Sequence, residues 1–173
     1  MARILGIDPG SRVTGYGIVE GDWGSARCVA YGTLRLGEDR PMGARLADLY
    51  AGLGRLVREH AVDQVAVERV FVARNADSAL KLGHARGVVL LVVEQAGLPL
   101  FEYTPAQVKK SVTGSGRAIK GQMVSLVRAI LGLDADPPED AADALAIAMT
   151  HQMRAGSQAA ILAALADATG GRR

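Results

Sequence analysis

The spacing of apolar residues changes several times along this chain, and each change marks an element. The first third reads as short apolar runs: Arg3–Asp8, then Gly15–Glu20, then Ala26–Leu36, with the turn cluster Gly21-Asp22-Trp23-Gly24 between the last two. Short runs divided by glycine-rich turns predict a β-meander. From Pro41 to Ala61 the period becomes that of a helix, with Leu46, Leu49, Tyr50, Leu53, Leu56 and Val57 recurring on one side. Gln64–Glu68 is short and apolar, as a central strand is. Asn75–Ala96 predicts a long helix, capped by Asn75 or Asp77 and stopped by Gly97-Leu98-Pro99. Pro99–Tyr103 predicts a fifth strand. Thr104-Pro105 pairs an N-cap with proline at the first helical position and opens a short helix through about Val112. After a flexible loop over Thr113–Arg117, helices are expected over Ile119–Leu131 and from Pro138 to about Met153, with Asp134–Pro138 as the linker between them.

Three antiparallel strands, a helix, then two strands separated and flanked by helices predict an α/β fold: a mixed five-stranded sheet with helices on both faces. A chain of 173 residues supports one such domain, placed at residues 1–155. The Ala/Gly-rich tail, residues 156–173, could form a weak helix and is expected to be flexible, with Gly170–Arg173 frayed. No apolar run approaches the roughly 18 residues of a membrane span. Met1-Ala2-Arg3 leads straight into a strand, which predicts no signal peptide. Cys28 is the single cysteine, which excludes an internal disulfide and a Cys-based zinc site. A cytoplasmic protein without a membrane partner is the expectation.

Four acids interrupt this apolar pattern. Asp8 ends the first strand, Glu68 ends the fourth, and Asp140 and Asp143 stand three apart at the start of an otherwise apolar helix. Each has an ordinary explanation: Asp8-Pro9-Gly10 is a turn signal, Glu68 has Arg69 beside it, and Asp140 suits a helix start. Asp143 is harder to explain that way, because Ala144-Leu145-Ala146-Ile147 follows it. Carboxylates in such settings are costly unless a cation compensates them, and oxygen donors from separate elements suit a hard divalent metal. Strands one and four are expected to be central neighbours, with the last helix packing its first turn against their ends. Such a group could hold two Mg²⁺ ions roughly 4 Å apart for phosphodiester hydrolysis.

Charge adds a partner to this picture. Residues 69–128 hold nine Lys/Arg against three acids, a net +6, which leaves −4 for the rest of the chain. A basic middle beside an acidic cluster suits an enzyme that holds a polyanion, although solvated helix faces alone give the same count. Arg69, Arg74, Lys81, Lys109, Lys110, Arg117 and Lys120 are the candidate phosphate contacts. Phe71, between two arginines, is either core or a stacking face for an unpaired base.

Gly6-Ile7-Asp8-Pro9-Gly10-Ser11 with Thr14-Gly15-Tyr16-Gly17, Val67-Glu68-Arg69-Val70-Phe71, Asn75-Ala76-Asp77-Ser78-Ala79-Leu80-Lys81-Leu82-Gly83, Val108-Lys109 with Gly114-Ser115-Gly116 and Lys120, and Asp140-Ala141-Ala142-Asp143-Ala144-Leu145-Ala146 together resemble the RuvC family of bacterial Holliday-junction resolvases. The resemblance runs in family order over about residues 3–154. It implies a ribonuclease-H-like fold, a homodimer, and paired symmetric nicks in a four-way DNA junction, with RuvA and RuvB as branch-migration partners. It also implies Asp8, Glu68, Asp140 and Asp143 as catalytic metal ligands for two Mg²⁺ per subunit, with Mn²⁺ able to substitute. By the same match Phe71 is the stacking aromatic, and Lys109 and Lys120 support cleavage or DNA binding. Arg69 departs from the glutamine that many relatives carry there. The runner-up is another ribonuclease-H-like nuclease; the rival from another class is an actin-like ATPase, whose phosphate hairpin also reads apolar-Asp-x-Gly-Ser but which needs a second phosphate hairpin and an adenosine-binding segment for which 173 residues leave no room.

Overall fold

Strand alternation splits the core into two layers. In β1 (Arg3–Asp8) Leu5 and Ile7 face one side of the sheet while Ile4 and Gly6 face the other. β2 (Val13–Glu20) and β3 (Arg27–Arg35) complete the antiparallel meander, with a 3-10 turn at Trp23–Ser25 between them. β4 (Gln64–Glu68) lies parallel to β1, and β5 (Leu100–Tyr103) parallel to β4, giving the order β3-β2-β1-β4-β5. The mixed five-stranded sheet is therefore as expected. The computed structural model describes residues 2–37, 39–69, 75–114 and 120–170.

One face carries α1 (Met42–Glu59) and α2 (Ala76–Gln95). Their Leu49, Leu53, Val89 and Val93 close over Leu5, Ile7, Ile18, Val65 and Val67. The other face carries α3 (Pro105–Thr113), α4 (Lys120–Leu131) and α5 (Glu139–Gly170), whose Val108, Val127, Leu145 and Ala148 pack on Ile4, Val19 and Ala66. Burying each large aliphatic side chain contributes about 1.5–3 kcal/mol, so both layers are needed to offset the chain entropy. The caps match the sequence. Asn75 accepts from the Ser78 N–H at 2.8 Å, and Thr104 forms a reciprocal capping box with Gln107 ahead of Pro105.

Among the boundaries that differ from expectation, two bear on the site and its helix. β2 begins at Val13, two residues early, because Val13 and Thr14 pair with Arg35 and Leu34 of β3. The last helix does not stop near Met153 but continues to Gly170. The extension holds many alanines and no proline, so propensity carries it, and Gly156 costs only about 1 kcal/mol. No helix among the described residues is long and apolar enough to cross a membrane.

Candidate active site

Period-two alternation decides where the acids point. Asp8 shares its face with Ile4 and Gly6, and Glu68 shares its face with Ala66; both are therefore on the α5 side. The register pairs Ile7 with Val67, so Asp8 and Glu68 end adjacent parallel strands. On the other flank Asp8 pairs with Gly15.

α5 reaches these strand ends because glycine lets it. A methyl carbon on Gly15 would lie 1.9 Å from the Asp140 carbonyl oxygen, and one on Gly6 would lie 2.0 Å from the Ala144 carbonyl oxygen. The helix backbone thus rests directly on the sheet backbone, with Ala141, Ala142, Ala144 and Ala148 fully buried around the contact. Asp140 sits above the partner of Asp8. Asp143, one turn on, acts electrostatically on Glu68. All four acids are half-buried. Asp140 lies in the first turn of α5, where the helix dipole favours negative charge.

The turn after Asp8 is locked from within. Thr14 is fully buried, its Oγ1 accepts from the Gly10 N–H at 3.2 Å, and its hydroxyl donates to the Gly10 carbonyl at 3.0 Å. Sequence reading quoted Thr14 without a role. With the strand expected to begin at Gly15, its sequence carried no signal for that role.

Burial pushes the Glu68 carboxyl above the usual carboxylate range. The charge of Asp143 pushes it further, and the Lys109 ammonium on α3 partly offsets both. These terms test the fit of a cation. The donor set is all carboxylate, and a cation placed between Glu68 and Asp143 would stabilise the charged form that burial and repulsion disfavour. As placed, no group of three or more His, Cys, Asp or Glu among the described residues is set to hold an ion. The arrangement is a coupled pair, Glu68 with Asp143, beside Asp8 and Asp140 on adjoining backbone, rather than a closed cage. Cavities of about 520 Å³ (between α1 and α2, at Tyr50 and Val92) and about 310 Å³ (at Phe101 and His151) are lined by none of the four acids.

The basic candidates divide. Lys109 and Lys110 are exposed on α3, with Lys109 close enough to act on Glu68. Lys81 is ion-paired with Asp77 at 2.5 Å on α2. Arg69 reaches Glu102 at 3.7 Å on the opposite face of the sheet from the acids. Lys120 opens α4, but its side chain lies outside the described residues, as do Phe71, Arg74 and Arg117. Sequence reading missed Glu102 and its second partner Arg86; an acid in an edge strand carries no signal by itself.

The family described as crossover junction endodeoxyribonuclease RuvC matches residues 4–151. The chain belongs to the RuvC family. A relative from Halorhodospira halophila, carrying that same description, is 57% identical over 151 residues, covering 87% of this chain and 90% of the relative. Another from Alkalilimnicola ehrlichii is 52% identical over 159 residues, covering 92% and 96%. Among solved structures, Thermus thermophilus RuvC in complex with a Holliday junction substrate superposes with a TM-score of 0.86 at 35% identity, covering 91% of this chain and 97% of that one. The yeast mitochondrial resolvase Ydc2 shares the fold, with a TM-score of 0.63 at 16% identity, covering 91% and 81%. The fold is ribonuclease-H-like, and the chain is a nuclease of this family.

Proposed function

We propose that this protein resolves four-way DNA junctions by paired, symmetric phosphodiester hydrolysis, with Asp8, Glu68, Asp140 and Asp143 as its catalytic acids. The observation that carries the reading is the seating of α5 on Gly15 and Gly6. It brings two helix acids over the ends of two parallel strands that each finish in an acid. The four carboxylates would hold two Mg²⁺, with Mn²⁺ as a substitute, which supply activation of water and charge neutralisation at the leaving oxygen. Lys109 supports the charged form of Glu68 and, with Lys110, presents positive charge to a phosphate backbone beside the acids.

A four-way junction has two equivalent strands to cut, so a two-fold enzyme matches it, and we assign a homodimer as the acting form. Exposed Leu80 and Leu91 give α2 apolar surface for that contact. RuvA and RuvB are the expected partners, on the family resemblance alone. A cytoplasmic location follows from the DNA substrate. The test is incubation with a synthetic four-way junction, a linear duplex and an RNA–DNA hybrid, each with and without Mg²⁺. Metal-dependent cutting confined to the junction is the expected result. Preferential cutting of the hybrid would favour another ribonuclease-H-like activity.

A further inference from the structure

We propose that Glu102 is a positioning residue for the strand end that carries Glu68, and that Arg69 serves this clamp rather than the nucleic acid. The inference rests on the catalytic role of Glu68 proposed above. Glu102 lies opposite Val67 in the β4–β5 register, one residue short of the Glu68–Tyr103 pair. Its face is that of Leu100, the α1/α2 side, so its carboxylate points away from the four acids. There Oε2 stands 3.7 Å from Arg69 Nε, while Oε1 pairs with Nη2 of Arg86 on α2. Arg86 and Glu102 are 26% and 28% exposed, so solvent screens their pair less than a surface pair.

Arg69 is held twice. Its N–H donates to the Tyr103 carbonyl at 2.7 Å, which extends the β4–β5 ladder one residue past Glu68. Its side chain is tied to Glu102 on the far side of the sheet. Successive residues of a strand point to opposite faces, so any twist of this end about its axis moves Glu68 and Arg69 together. A carboxylate that anchors Arg69 to α2 through Arg86 resists that twist. The clamp therefore fixes the aim of Glu68 from behind, and it draws the Arg69 guanidinium to the face of the sheet away from the four acids.

Junction cutting and the salt dependence of junction binding, measured for Arg69→Gln, Glu102→Gln and the double variant, test the clamp. The expected result is a loss in kcat of about tenfold or more in each single variant, the scale set by small misplacements of reacting groups. KM and the salt slope should hold, and the double variant should be no worse than the poorer single. Losses that multiply in the double variant, with a salt slope lowered by about one in Arg69→Gln, would mean that Arg69 touches phosphate and would overturn the proposal. Full activity in Glu102→Gln would also overturn it. If Glu102→Gln does not fold, the salt slope and kcat of Arg69→Gln, which is 54% exposed, decide alone. Wild type and Glu68→Gln run alongside. A wild type that cuts no junction defeats the functional reading, whereas a cutting wild type with multiplicative losses defeats only the clamp.

Discussion

Replacing Gly15 with alanine puts a methyl carbon 1.9 Å from the Asp140 carbonyl oxygen and 2.4 Å from its carbonyl carbon. Ordinary contact begins near 3.4 Å, so the first turn of α5 must retreat from β2 by about 1.5 Å. Gly15 does not have a positive φ, so the cost is contact and not backbone strain. Overpacking of this kind costs about 1–3 kcal/mol, and in a chain of this size each kcal/mol lowers Tm by about 2–4 °C. The catalytic effect should be larger than the thermal one. Lifting Asp140 and Asp143 by more than an ångström from Asp8 and Glu68 is expected to lower kcat by about 100-fold, while junction affinity, set by the lysines, stays near wild type. Calorimetry and single-turnover cutting at 25 °C, on protein shown to be folded by circular dichroism, separate the two effects. Gly43→Ala, whose added carbon meets nothing within 4 Å, is the control and should change neither. A Gly15→Ala protein with wild-type kcat would refute the idea that this contact sets the spacing of the acids.

Asp143→Asn should abolish cutting yet leave junction binding intact or slightly tighter, read by gel shift without metal; near-normal cutting would remove Asp143 from the site. His151 is buried, with its ring between the Tyr103 hydroxyl at 2.7 Å and Gln64 Oε1 at 2.8 Å, and burial lowers its pKa below the usual histidine value. The unfolded chain then binds the extra proton first, so stability should fall as pH drops from the ordinary histidine range towards the lowered value, and the acid loss in urea midpoint should shrink in His151→Gln. Phe71→Ala should impair junction cutting without changing the salt slope, since a stacking ring contributes no charge; a loss of about 3–5 kcal/mol in stability would instead mark Phe71 as core.

The elements were legible in the sequence because each is locally consistent. The 3.6-residue spacing of Leu46, Leu49, Leu53 and Leu56 predicted α1, and Asn75 and Thr104 marked the starts of α2 and α3. The acids were legible for a different reason: they broke the apolar pattern at strand ends and in the first turns of α5. What could not be read was how neighbouring groups engage them. Arg69 looks like any other cation of the basic middle until the register puts it on the α2 side against Glu102. Gly6 and Gly15 read only as strand residues, whereas the fold uses both as contact points for a helix more than 120 residues away in sequence. The extension of α5 was legible only as a possible weak helix, because alanine propensity alone is a faint signal.

The seat of α5 also sets when the enzyme comes into being. α5 packs against all five strands and carries two of the four acids, yet it follows every one of those strands in the chain. A nascent polypeptide emerges from its N-terminus at about 5–20 residues per second, so the meander, β4 and β5 all leave the ribosome before Asp140 exists. Until then Asp8 and Glu68 have no lid of helix over them, and the glycine surface at positions 6, 15 and 17 lies bare. On the proposed assignment, a chain ended before α5 carries two of the four acids and is expected to cut no junction. Assembly of the proposed site waits on the synthesis of α5.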